Sequence, residues 1–219
     1  HELKTPITAI RGIAETLVDD PQMEHDLRQK FMTKITDQSH RLSNLVSDLL
    51  ALARLDEREK TPKTRIDLIT LIEERITSLT KVTAPEKMAS LIFDKPAEPV
   101  HVFGDEEELR QAIGNLIDNG LKYTPRNGSV RAVLSSTGDR ATIKIEDNGS
   151  GIPEEFLDRI FERFFRVDKA RSREIGGTGL GLAIVKNICL KHEGNVEVES
   201  KDGIGTTFTI TLPLHSDSG

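Results

Sequence analysis

Apolar residues recur through the N-terminal part of the chain in alternating steps of four and three. They run Leu3, Ile7, Ile10, Ala14 and Leu17, and after an interruption at DDPQM resume as Phe31, Ile35, Leu42, Leu45, Leu49 and Leu52, with Gln38 filling one slot. A period of about 3.5 residues is the seam along which helices pack. The pattern therefore predicts two helices joined by a short turn, an αα-hairpin. One hairpin alone leaves an apolar stripe on each helix. Pairing two hairpins into a four-helix bundle covers both stripes, which predicts a homodimer formed through the hairpin.

The pattern changes after DEREKTPKT, a charged stretch with a proline that reads as a linker. RIDLITLIEERITSL predicts a short strand and a helix, and SLIFDKP and HVFG predict strands. DEEELRQAIGNLIDNGLKY predicts a helix capped by the side chain of Asp105. SVRAVLSS and RATIKIED alternate apolar and polar positions as paired strands do, and so do VEVES and TTFTITLP around KDGIGT. Strands grouped apart from helices predict an α+β sandwich, with helices covering one face of a mixed sheet. The expected organisation is a helical hairpin over residues 1–60 followed by an α/β sandwich over residues 61–219.

Thirty basic against thirty-six acidic residues give the 219-residue chain a net charge of −6. A nucleic-acid or anionic-membrane binder carries a basic excess instead, so no nucleic-acid partner is expected. The lone cysteine, Cys189, cannot form an internal disulfide and suits a reducing compartment. Its spacing in GLAIVKNICLKH makes it a buried apolar residue rather than a nucleophile. No apolar run approaches the ~20 residues needed to cross a bilayer, and no signal peptide precedes the first motif. The sequence starts inside a helical pattern with no capping residue ahead of it, as expected for a piece of a longer protein.

Three short stretches of the second region carry candidate chemistry. In NLIDNGLKY, Asn115, Asn119 and Lys122 fall at steps of four and three on one helix face, with Tyr123 beside them. Amide oxygens can ligate a hard cation such as Mg2+ and a lysine can pair with phosphate, although an ordinary solvated face has the same spacing. In DNGSGI, Asp147 at a strand end can accept a hydrogen bond from an exocyclic amine, while Gly149 and Gly151 let backbone approach a flat ring. A plain glycine turn reads the same way. GGTGLGLAIVK, from Gly176 to Lys186, leads a glycine-rich loop into a helix whose free N–H groups and dipole suit a polyphosphate. Gly181 is followed by Leu182, so this is no P-loop, and the dinucleotide G-x-G-x-x-G spacing is absent as well. The polar stretch before it, FRVDKARSREI, has the length and composition of a lid.

In this order, with FERFFR between the second and third, these stretches resemble the N, G1, F and G2 boxes of sensor histidine kinases. HELKTP with the following PITAIRGIAETL resembles their H box. The likeness covers the chain from His1 to about Pro213, and the H box and its flank are most similar to phosphate-regulon sensor kinases of the PhoR type. The resemblance implies a catalytic core that phosphorylates His1 from ATP with Mg2+. It further implies transfer of the phosphoryl group to an aspartate of a response-regulator receiver domain, and removal of phosphate from that regulator. The full-length protein would be anchored at the inner face of the bacterial cell membrane, with this part soluble and on the cytoplasmic side.

Site residues follow by resemblance. Asn115 is the Mg2+ ligand, Asn119 and Lys122 contact phosphate, Tyr123 packs on adenine, and Asp147 reads the adenine amino group. Gly149, Gly151, Gly177, Gly179 and Gly181 give backbone room, and Phe161, Phe164 and Phe165 anchor the lid. Ile152, Thr178, Leu180, Leu182 and Thr206 complete the nucleotide contacts. Arg159, Arg163 and Arg166 are candidates to stabilise charge at the γ-phosphate, with Arg166 included among the nucleotide contacts. Gly120 departs from the alanine common in the N box, at about 1 kcal/mol of helix propensity.

HELKTP sets a proline close to a titratable ring. With Leu3 and Ile7 on the seam, His1 falls off it and stays accessible. A neutral imidazole nitrogen is a competent nucleophile near neutrality, its ordinary pKa being ~6.5. Glu2 can accept the proton of the other ring nitrogen and orient the ring. Thr5, four residues on, shares the helix face of His1, where its hydroxyl can hold a water. Pro6 lacks an N–H, so the Glu2 carbonyl is expected to lose its partner and the helix to bend; the other reading is a helix start with proline in its first turn. His25, His40, His101, His192 and His215 have no metal spacing and read as surface or capping residues, His192 at a helix end with a glycine cap.

Two other readings compete. An ATP hydrolase of the gyrase and Hsp90 type resembles the N and G boxes, but Gln111 stands where those enzymes place a water-activating glutamate. A non-catalytic dimeric scaffold would have lost a histidine, asparagine or glycine of the boxes, and none is missing.

Overall fold

Helix α1 (Lys4–Asp19) and the long α2 (His25–Asp56) form the hairpin that the 3.5 period predicts. The computed structural model describes residues 2–56, 63–82, 89–168 and 177–214. His1, His215, most of the expected linker and the greater part of the expected lid therefore lie outside the described residues. Pro6 is buried in the first turn of α1, where an intrahelical N–H has no partner to lose.

The hairpin divides its apolar stripe between two uses. Leu3 and Ile7 remain 39% and 51% exposed on α1. Leu45 and Leu52 of α2 are buried, because α2 packs against α5 (Gly181–Lys191) and joins the core of the second region. Part of the seam is thus covered within the chain, and Leu3 and Ile7 leave part of it open.

Beyond the hairpin, β1 (Thr64–Asp67) runs directly into α3 (Leu68–Val82) and pairs antiparallel with β3 (His101–Gly104) as a separate two-stranded sheet. Asp67 makes the junction, accepting from the Ile69 N–H at 3.0 Å and from the Thr70 hydroxyl at 2.8 Å. The main sheet contains β2 (Ser90–Asp94), β4 (Ser129–Thr137), β5 (Arg140–Asp147), β7 (Gly205–Pro213) and β6 (Asn195–Lys201), in that spatial order. The β2–β4 pair is parallel and the others antiparallel, so the sheet is mixed as expected.

Alternation decides which face is covered. Val130, Ala132 and Leu134 of β4, Ala141, Ile143 and Ile145 of β5, and Phe208, Ile210 and Leu212 of β7 are all buried. They meet α4 (Glu106–Tyr123) through Leu109, Ile113, Leu116 and Ile117, and α5 through Ile184 and Ile188. Truncating the fully buried Leu116 to alanine would cost about 2–5 kcal/mol through lost transfer energy and the cavity left behind. Gly120 also has a packing reason: a Cβ there would lie 3.0 Å from Cγ1 of Val130, so the missing methyl lets α4 settle onto β4.

The helix ends are tied to one another. Asp105 caps α4 by accepting from the Glu108 N–H at 3.0 Å, ahead of the acidic first turn Glu106–Glu107–Glu108. His192, at the end of α5, is buried rather than exposed. Its Nδ1 lies 2.8 Å from the Ile188 carbonyl, and its Nε2 accepts from the Asp105 N–H at 3.0 Å. This pair of bonds requires the proton on Nδ1 and a neutral ring, and burial pushes the His192 pKa down. Cys189 is buried on the same helix, its thiol pushed up to about 12 by burial, as suits an inert core residue.

Candidate functional site

A cavity of about 450 Å³ opens where α4, the end of β5, the start of α5 and the middle of α2 converge. Helix α4 contributes Asn115, Asn119, Lys122 and Tyr123. The segment from the end of β5 contributes Asp147, Gly151 and Ile152, and β7 contributes Thr206. The glycine-rich loop supplies Gly177, Thr178 and Gly179, and the first turn of α5 supplies Gly181 and Leu182. Arg166 and Phe165 enter from the FERFFR segment. Three expected residues stand outside the lining: Gly149, Phe161 and Leu180. Leu180 is fully buried core, and Phe161 packs edge-on to Phe208 with ring centroids 6.4 Å apart. Gly149 answers a backbone constraint instead, since a Cβ there would lie 2.5 Å from the carbonyl oxygen of Tyr123.

The Asn115 side chain is oriented by Nδ2, which donates to the Gly181 carbonyl at 3.2 Å. Its Oδ1 is then the acceptor available to a cation. A single amide oxygen fits Mg2+, which keeps several waters and completes its octahedron with phosphate oxygens rather than an all-protein cage. Among the described residues no cluster of three His, Cys, Asp or Glu side chains could hold a metal by itself. Asp147 closes the other end of the cavity. Burial raises its pKa, opposed by the N–H groups of Gly149, at 2.8 Å from Oδ1, and Thr206.

Positive charge gathers between these two ends. Burial lowers the Lys122 pKa, and the like charges of Arg166 and Arg41 lower it further. The ammonium is short of negative charge, and an anion in the cavity would relieve it. Of the three candidate arginines, only Arg166 lines the cavity. Arg159 stacks on the Phe165 ring at 4.6 Å and pairs with Glu162 at 3.4 Å, and Arg163 is exposed. The Arg166 side chain is 6% exposed. Its Nη2 donates to the Thr178 carbonyl at 2.7 Å and to Oε2 of Glu2 at 3.2 Å, while its buried Nε has no hydrogen-bond partner among the described residues.

The glycine-rich loop and the FERFFR segment are held in close contact. Gly179 has φ +76°, and a Cβ there would lie 3.0 Å from the Cα of Phe164. Phe164, itself at φ +65°, donates its N–H to the Gly179 carbonyl at 2.8 Å. Phe161 and Phe165 pack against the core, whereas Phe164 is 43% exposed and meets the glycine-rich loop through its backbone N–H.

Sequence reasoning missed the part that the hairpin plays. Asn44, Ser47 and Asp48 of α2 line the same cavity. The Thr178 hydroxyl donates to Oδ2 of Asp48 at 2.7 Å and accepts from the Leu180 N–H at 3.2 Å. Burial raises the Asp48 pKa, opposed by that hydroxyl. The signal was present: Asn44 and Asp48 stand four residues apart beside the leucine stripe, so they share one face. Thr5 is exposed on α1.

Comparison with known proteins adds to this geometry. The family model described as "His Kinase A (phospho-acceptor) domain" matches residues 1–58, and "Histidine kinase-, DNA gyrase B-, and HSP90-like ATPase" matches residues 104–216. The sensor-like histidine kinase SenX3 of Mycolicibacterium smegmatis is 40% identical over 221 residues, covering 99% of this chain and 56% of that protein. The chain thus spans about half the length of such relatives. The solved structure of the Acinetobacter baumannii histidine kinase AdeS matches with TM-score 0.78 and 25% identity, over 99% of this chain and 98% of that one. Full-length ShkA in complex with AMPPNP matches with TM-score 0.73 and 28% identity, over 100% of this chain and 45% of that one.

Proposed function

The chain belongs to the sensor histidine kinases of two-component systems, and on that premise we propose that it binds ATP and Mg2+ in this cavity and transfers the γ-phosphoryl group to His1. Residues 1–60 act as the dimerising phosphoacceptor hairpin and residues 61–219 as the ATP-binding unit. One observation carries the reading: Arg166 of the cavity donates to Glu2, the neighbour of the acceptor histidine in the sequence. The AMPPNP complex of the similar ShkA kinase supports a nucleotide triphosphate as ligand.

In this reading Asp147 accepts from the adenine amine and Tyr123 flanks the ring. Asn115 would hold Mg2+ through Oδ1, and the chemistry the ion would supply is neutralisation of charge on the phosphate oxygens. Lys122 and Arg166 draw the γ-phosphate to the end of the cavity that faces Glu2. The unprotonated ring nitrogen of His1 attacks phosphorus, the bond to the bridging oxygen breaks, and Glu2 accepts the proton of the other ring nitrogen. The phosphoryl group then passes to an aspartate of a response-regulator receiver domain, and Thr5 aligns a water when that regulator is dephosphorylated. Exposed Leu3 and Ile7 extend the seam through which two hairpins pair. No described helix is long and apolar enough to cross a membrane; we place the whole protein at the inner face of the bacterial membrane, anchored through a part beyond this chain.

The test is incubation with γ-labelled ATP and Mg2+. The expected product is an acid-labile, base-stable phosphoramidate that His1→Gln abolishes. Label that survives acid, or persists in His1→Gln, overturns the reading.

A further inference from the structure

Glu2 is shared by two buried arginines, and they come from opposite sides of the cavity. Arg166 belongs to the nucleotide-binding unit. Arg41 belongs to α2 of the hairpin, and its Nη2 lies 3.8 Å from the same Oε2 that Arg166 reaches at 3.2 Å. Arg41 is 7% exposed, the one charged side chain among the described residues that is buried as a whole residue. A charge held that far from water requires a compensating partner. Arg41 also stands three residues before Asn44 and seven before Asp48, on the helix face that lines the cavity. Its charge is felt at the phosphate end, where it helps depress Lys122.

The balance of charge changes when an anion arrives. Arg166 divides itself between Thr178 and Glu2, and its Nε has no hydrogen-bond partner among the described residues. A γ-phosphate beside Lys122 offers Arg166 a stronger, doubly charged acceptor, for which the free Nε supplies a donor. Glu2 then loses one of its two counter-charges at the moment the reaction requires its carboxylate beside His1. Arg41 lies on the same hairpin as Glu2, so its pairing survives any displacement of the nucleotide-binding unit.

We propose that Arg41 is a positioning residue for phosphoryl transfer, holding Glu2 beside the acceptor histidine when Arg166 turns to the γ-phosphate. The inference rests on the reading of the chain as a histidine kinase. The step that it serves is balanced: the N–P bond forms, the bond from phosphorus to the β,γ-bridging oxygen breaks, ADP leaves, and the ring proton passes to Glu2. The role assigned to Arg41 is exerted through Glu2.

The experiment measures single-turnover labelling by γ-labelled ATP and affinity for AMPPNP in the full chain. It compares Arg41→Gln, Arg41→Lys, Glu2→Gln and the double variant Arg41→Gln/Glu2→Gln. Arg41→Gln should slow labelling at saturating ATP by roughly 10- to 100-fold, a share of the 10²–10⁴ that a general base contributes. AMPPNP affinity should stay within about threefold. Arg41→Lys, which keeps a cation in the buried position, should recover most of the rate, and the melting temperatures of both variants separate lost chemistry from lost fold. On the Glu2→Gln background, Arg41→Gln should cause no further fall. An unchanged rate in Arg41→Gln, a failure of Arg41→Lys to recover it in a folded chain, or an equal fall with and without Glu2 overturns the proposal. A wild-type chain that takes no label at all overturns the kinase reading instead.

Discussion

The side chain of Asn115 is tied to the carbonyl of Gly181 at 3.2 Å, so the first turn of α5 fixes which end of that amide faces the cavity. An aspartate in its place has no donor for that carbonyl and sets a carboxylate against it. Asn115→Asp should therefore misdirect the metal-facing oxygen as well as change its charge. Labelling of His1 should fall by about 10- to 100-fold or more, in line with the loss of one supporting contact at a metal site, while nucleotide binding persists in weakened form. A Mg2+ titration of the labelling rate checks this, and a rate within threefold of wild type would show that the amide orientation is irrelevant.

The role proposed for Asp147 predicts a pH dependence of nucleotide affinity with a definite direction. Burial raises the pKa of its carboxyl, and the ionised form is the stronger, acceptor-only partner for an adenine amine. Affinity for ATP should fall as pH is lowered through that raised titration. In the empty protein the sign is opposite: a raised folded value favours the neutral form, so this contribution to stability is present at low pH and lost as pH rises. Asp147→Asn should flatten the binding profile and narrow the preference for ATP over GTP, because an amide also donates. Calorimetric titration across the acid range would show both changes, and identical profiles for the two proteins would reduce Asp147 to a turn residue.

The role proposed for Thr5 predicts that two activities can be separated. It is exposed on α1, so removing its hydroxyl costs little stability. Thr5→Ala should leave His1 labelling within a few-fold of wild type. Dephosphorylation of the phospho-regulator should slow by roughly 10²–10³, the loss typical of one positioned catalytic group. The two rates are read from single-turnover labelling and from the decay of purified phospho-regulator with and without the kinase. A parallel fall in both would mean that Thr5 holds the helix rather than a water.

His192 predicts an acid weakness of the fold. The buried ring is neutral and bridges Ile188 to Asp105, with its folded pKa pushed below the ordinary value. Glu108 and Asp105 favour its charged form and Lys63 opposes it, but burial outweighs them. The contribution is thus complete above about pH 6.5 and lost as pH falls. His192→Gln should lower stability by about 1–3 kcal/mol near neutrality, the usual penalty for unsatisfied buried partners, and should flatten the acid limb of a plot of melting temperature against pH. An acid limb as steep as that of wild type would assign it to the carboxylates instead.

Most of the fold was legible because each element keeps one period along its whole length. The leucine stripe of α2 and the alternation of β5 and β7 each carry four or more signals in phase. Strands β1 and β3 have four residues each, too few to reveal a pairing across more than thirty positions of chain. The stripe of α2 left a different gap. A 3.5 period states that one face is buried, not against what, and Leu45 and Leu52 are covered by the chain's own α5 side. The cavity residues of α4 and the glycine-rich loop were legible by motif. The choice of Arg166 over Arg159 and Arg163 was not, since burial follows from the path of a loop rather than from residue type. Gly120 looked like a small local penalty, and only its distance to Val130 shows that an added methyl there would be a tight fit.

The bond from the Thr178 hydroxyl to Asp48 turns a long helix into a shaft with a pin in it. Asp48 lies 23 residues from the start of α2, roughly 35 Å along its axis at ~1.5 Å per residue. Advancing the helix by one residue in register swings a side chain by about 100°, which carries the carboxylate off the face that meets the glycine-rich loop. A slide without rotation shifts it along the groove and leaves it facing the same way. The glycine-rich loop is therefore geared to the angle of the shaft more sharply than to its height, and a twist applied at the distant turn near residues 20–24 would reach the loop as the making or breaking of one hydroxyl–carboxylate contact.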